Sequence, residues 1–197
     1  MVGLKSLMGL HRLFNSWIGG IIVSSDLSVR INGTMNLHNI ICNMNDILKR
    51  ILSIDSIPEV SVFALVNGKR KIFEDTVIGL VGQYLLIGFK EYEEGISITI
   101  TEVPLQLPYI TEDEAGIWTG ISVGVKKSSI EFAIAAALAI AIAQGQGEDI
   151  IDDACIWNKS LKISPLDFFN KLSVKGTYKN IDEASNAMFE KLNLSRN

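Results

Sequence analysis

The sequence predicts an α+β fold, a mainly antiparallel sheet built from hairpins with helices packed on it. Three observations carry that reading: two pairs of strand-like runs are joined by short turns, an amphipathic helix precedes them, and an apolar alanine-rich helix follows. Consecutive hairpins followed by consecutive helices favour segregated layers over alternating βαβ units.

The elements follow in chain order. The first 25 residues, MVGLKSLMGLHRLFNSWIGGIIVSS, place Lys5 and Arg12 before apolar WIGGIIV, a faint likeness to a secretory leader. The apolar part is short, broken by two glycines, and lacks a good small-residue cleavage site, so a cytoplasmic chain is expected. TMNLHNIICNMNDILKRILS then reads as an amphipathic helix over 34–52 with Thr34 as its cap. Leu37, Ile40, Ile41, Met44, Ile47, Leu48, Ile51 and Leu52 fall on one stripe. VSVFALV, Asn67-Gly68 and KRKIF form a hairpin signal, because both central positions of a tight two-residue turn need positive φ. A second hairpin joins YLLIGFKEY to ISITITEV through Glu93-Glu94-Gly95. The alternation of Ile96, Ile98 and Ile100 with Ser97, Thr99 and Thr101 implies one buried and one wet face.

After the PLQLP loop and acidic TEDEAG, IWTGISVGV reads as a strand leading into the alanine-rich helix. Ser128 and Glu131 make a capping-box pattern, and Gly145 supplies the stop. The apolar run over 132–143 has twelve residues, about 18 Å of helix at about 1.5 Å per residue, and a bilayer core of about 30 Å needs about twenty. Being apolar on every side, this helix is expected in the core. EDIIDDACIW contains a short strand, SPLDFFNKL a short helix capped by Ser164 with Pro165 at its first position, and IDEASNAMFEKLNL a terminal helix. No linker or repeat divides residues 1–197, so one domain is expected.

Composition narrows the functional classes. Two cysteines, Cys42 and Cys155, are too few for a disulfide framework, and neither sits in a CxxC pair. A net charge of −4 argues against nucleic acid as a partner, since phosphate binding relies on excess Lys and Arg. The charge is unevenly spread: residues 91–153 hold twelve acids against Lys126 and Lys127, a block of −10, and the rest carries +6. Such polarity can steer a basic partner, although scattered solubilising acids give the same count.

His38, Cys42 and Asp46 follow at four-residue steps along one helix edge, a nucleophile, base and acid in name. Strung along a rod about 12 Å long, they do not converge on one point. Glu148, Asp149, Asp152 and Asp153 have the oxygen chemistry for a divalent cation but no metal-loop spacing, and neighbouring strand residues point to opposite faces. Neither metal nor any other cofactor is expected. Gly145-Gln-Gly147 follows a helix where phosphate loops precede one. Tyr92, Tyr109 and Trp118 lie close to acids, a pairing suited to a protein interface, with a core role for Trp118 equally open.

The run SVGVKKSSIEFAIAAALAIAIAQGQGEDIIDDACIW over 122–157 resembles a segment of bacterial immunity proteins from polymorphic toxin systems, including contact-dependent growth inhibition: a strand, an FAxAxALAxAIA-like helix, then a strand with an acidic pair ending in Trp. The resemblance implies a non-enzymatic antitoxin, monomeric when free, that binds one cognate toxin domain and covers its active site or substrate surface. The partner would be a protein, often a basic nuclease, with neither nucleic acid nor membrane bound. Charge selects Glu91, Glu93 and Glu94 in the hairpin turn and Glu112, Asp113 and Glu114 in the acidic loop as toxin-binding residues, with Tyr92 and Tyr109 as aromatic anchors; Asp152 and Asp153 fit the scaffold better. Two rival readings stand beside it. One is a small hydrolytic enzyme with carboxylate acid-base chemistry centred on Glu131; the other is a structural subunit that dimerises through a strand edge.

Overall fold

A computed structural model describes residues 27–90, 92, 95–106, 110–123, 128–152, 157 and 161–194. The strands are β1 (Leu27–Ile31), β2 (Met35–Asn36), β3 (Val60–Val66), β4 (Lys69–Ile72), β5 (Val77–Ile78), β6 (Tyr84–Phe89), β7 (Gly95–Val103), β8 (Gly116–Ser122), β9 (Ile150–Ile151) and β10 (Lys162–Ile163). The helices among these residues are α1 (Leu37–Leu52), α2 (Ser129–Gln146), α3 (Pro165–Leu172) and α4 (Ile181–Leu194). Eight strands form one sheet in the order β10-β9-β1-β8-β7-β6-β3-β4, while β2 and β5 pair separately. Every pairing is antiparallel, so the expected α+β architecture is the one observed.

Register explains where the core lies. Val29, Thr119 and Ile100 stand side by side across β1, β8 and β7, and Leu27, Ile121, Ile98 and Leu85 form the next such row. Because side chains alternate between faces, these rows share one side of the sheet, the side on which the helices pack. α2 lies against β1, β7, β8 and β9, with α1, α3 and α4 around its remaining sides. Its alanines at 133, 135, 136, 137, 139 and 143 are fully buried, as the all-round apolar pattern requires. By length and composition α2 could cross a bilayer, since the helix runs to 18 residues rather than the twelve of its apolar run, but 78% of it is buried inside the protein.

The caps show where local signals were exchanged. Asn36, not Thr34, caps α1, its side chain accepting from Asn39 N, and residues 35–36 are drawn into β2. The Ser128–Glu131 capping box forms, but α2 runs through Gly145 and stops at Gly147, whose φ of 70° and N–H to Ala143 O close the last turn. Ser164 caps α3 with Pro165 in its first turn. Asn67 and Gly68 have φ of 51° and 72°, the two left-handed residues that the tight β3–β4 turn demands.

The second face of the sheet differs from the expectation of a wet surface. Thr99 is only 6% exposed, in a row of small residues with Gly120 and Ser28. Lower on this face Trp118 and Val103 form a small separate core with Ile110 and Ile151.

Candidate functional site

The acidic loop between β7 and β8 folds back over that small core. Trp118, 6% exposed, donates from Nε1 to the carbonyl of Glu114 at 3.0 Å, and Ile110 packs against the cluster. One carboxylate oxygen of Glu114 accepts from both Thr111 N (2.9 Å) and Thr111 Oγ1 (2.8 Å), while Glu114 N and Ala115 N donate to Thr111 O. This clamp closes a turn in which Glu112 and Asp113 are exposed at the tip. Glu114 differs from its two neighbours: it is 8% exposed, and its carboxylate is turned into the loop.

The same rim gathers other acids by register. Glu102 pairs with Ile117, and Ile117 with Ile31 at the end of β1. Next to it Asn32 N donates to Gln146 Oε1 at 2.8 Å, which brings the end of α2, with Glu148 and Asp149, to this rim. Asp149 pairs with Lys162 at 3.2 Å, and Arg30 lies across Gly116, so two cations interrupt the acidic field. Glu112 and Asp113 are exposed at the tip, Glu102 is exposed on the helix side of the same rim, and Glu148 is half-buried.

Tyr92 lies elsewhere. It follows β6, stacks edge-on against Phe89 with centroids 5.8 Å apart, and donates from its hydroxyl to Asp182 Oδ2 at 3.2 Å. Gly95 beside it begins β7, and the acidic loop begins after Val103, eight residue steps and about 27 Å away at about 3.4 Å per residue. Tyr92 and the Glu112–Asp113 tip therefore lie towards opposite ends of β7. Glu91, Glu93, Glu94 and Tyr109 lie outside the described residues, as does Asp153.

The remaining candidates take structural roles. Glu131, 3% exposed, accepts from Ser128 N at 3.1 Å and from Gly95 N at 3.4 Å, so it ties the start of α2 to the start of β7. Asp152 is fully buried and accepts from Trp157 N at 2.7 Å; the Trp157 ring packs on Phe132 and Phe168. On α1, His38, Cys42, Asn45 and Lys49 line a groove of about 410 Å³ facing residues 55–60. Cys42 Sγ lies 3.5 Å from His38 Nε2, so two members of the predicted row meet. Asp46 does not line the groove, which leaves the pair without its third group. Among the described residues no cluster of three or more His, Cys, Asp or Glu could hold a metal ion.

Compared with known proteins, the chain matches no family model, no curated protein and no solved structure.

Proposed function

We propose that this protein is an immunity-type inhibitor that binds a cognate basic toxin domain, a nuclease by preference, and docks it on the Glu112–Asp113 tip and the adjoining Glu102 and Glu148. The reading is supported above all by the construction of that tip. A buried carboxylate, a threonine and an indole tie the turn that carries two exposed acids, so less loop freedom remains to be lost on binding. Carboxylates displayed this way present the charge that a phosphate-binding surface attracts, and they act mainly on encounter rate and orientation. A standard interface of about 800 Å² per partner would extend beyond the tip to the neighbouring rim.

The test is co-purification with the product of the adjacent upstream reading frame, followed by association kinetics at low and high salt. The expected result is a stable complex whose on-rate falls with salt. The double variant Glu112→Lys/Asp113→Lys should slow association by about tenfold with a smaller change in dissociation. Absence of a complex, or an on-rate indifferent to ionic strength, refutes the proposal.

A further inference from the structure

The β4 end of the sheet has the opposite chemistry from the acidic tip, and β4 stands four strand spacings, about 19 Å, from β8. Val66 and Lys69 flank the two-residue turn, and Phe73 N donates to Val62 O at 2.9 Å. In an antiparallel ladder, pairs that exchange backbone bonds alternate with pairs that do not. The residues at 69, 71 and 73 therefore bond inward to β3, while Arg70 and Ile72 turn their N–H and C=O groups outward. Among the described residues no strand pairs with that edge.

Along β4 the surface is both apolar and basic, with the exposed acids Glu74 and Asp75 following beyond its end. Ile72 is 72% exposed and Leu65 46%, and register sets both on the helix-free face. Lys69, Arg70 and Lys71 are exposed in succession, and neither ion pair among the described residues involves them. Lysines on an edge strand deter pairing with another chain, but the deterrence has a sign: it rejects a basic strand and admits an acidic one.

We propose that this edge binds an extended acidic segment of a partner protein, which adds to the sheet as a further strand through the outward groups of Arg70 and Ile72. The mode is strand addition, in which main-chain bonds supply affinity and the side chains opposite supply selectivity. A second copy paired antiparallel about Arg70 or Lys71 sets cation opposite cation, and the register about Ile72, which would set Arg70 opposite Glu74, needs residues beyond the end of β4. An anionic membrane would suit the charge and the exposed Ile72 and Leu65, but hydrocarbon leaves outward N–H and C=O groups unmet. This surface is independent of the toxin-docking reading.

The full-length chain would be titrated with an acetylated peptide of about ten alternating Glu and Thr/Val residues, with its Lys-for-Glu counterpart, and with vesicles of anionic phospholipid. Anisotropy would report affinity, and hydrogen exchange the protection of individual amides. The acidic peptide should bind at least about tenfold more tightly than the basic one and slow exchange at the Arg70 and Ile72 amides. Ile72→Pro should abolish binding, since its N–H is not used within the hairpin. Arg70→Glu/Lys71→Glu, which keeps the backbone edge, should reverse the peptide preference. Equal affinity for both peptides overturns the proposal. So does binding without protection of those two amides, protection already present in a free dimer, or capture by vesicles alone.

Discussion

Three buried carboxylates, Asp152, Glu114 and Glu131, each accept from a backbone N–H and position the chain around them. Asp152 is enclosed and holds Trp157 N, so Asp152→Ala leaves a buried donor unmet and should cost about 1–3 kcal/mol by urea denaturation, with Asp152→Asn costing less because its amide oxygen still accepts. Glu114→Ala removes the acceptor for two Thr111 donors. It should slow association with the proposed partner although Glu114 is not itself exposed, and Glu114→Gln, which keeps an acceptor, should slow it less. Lys191 offers a pH test. Burial first, and Lys175 second, hold its pKa below the ordinary lysine value of 10.5. Between the folded and unfolded pKa values the unfolded chain binds more protons, so stability rises with pH through that alkaline window. Lys191→Gln should remove this slope, as measured by denaturation across pH.

At the level of elements, α2 decides the packing. Ala137 is fully buried, so Ala137→Leu should overpack the core and cost about 1–3 kcal/mol, while Gln144→Leu on the exposed end of the same helix should change thermal stability little. The existence of α2 was legible because alanine has no side-chain entropy to lose and a capping box marks its start. Its end was not: Gly145 is the expected stop, but the helix continues through it and Gly147 closes the ladder onto Ala143. Thr34 lost the cap of α1 for a related reason, since pairing of residues 35–36 with β5 moved the helix start onward. Strand β1 had a usable signal in Leu27, Val29 and Ile31 alternating with Ser28 and Arg30, but five residues beside an apolar leader-like stretch do not announce a strand set well inside the sheet.

For the whole molecule the question is which charges share a surface. The Tyr92 rim and the Glu112–Asp113 rim are separated by the length of β7, about 27 Å, several times the Debye length of about 8 Å at physiological salt. Tyr92→Ala should therefore leave the on-rate of the proposed partner within about twofold, in contrast to Glu112→Lys/Asp113→Lys, and stopped-flow kinetics on both variants would tell the rims apart.

The sequence by itself determined the layers: period-two runs, an Asn-Gly turn, one amphipathic stripe and one helix apolar all round are local signals, and each is fixed by backbone sterics and side-chain hydrophobicity within a few residues. Tertiary structure alone decided the strand order and the separation of Tyr92 from the Glu112–Asp113 tip. It also turned Glu114 inward and, among the described residues, left the basic edge of β4 unpaired. These depend on which distant segments become neighbours, and a count of charge along the chain carries no information about which end of a strand that charge will occupy.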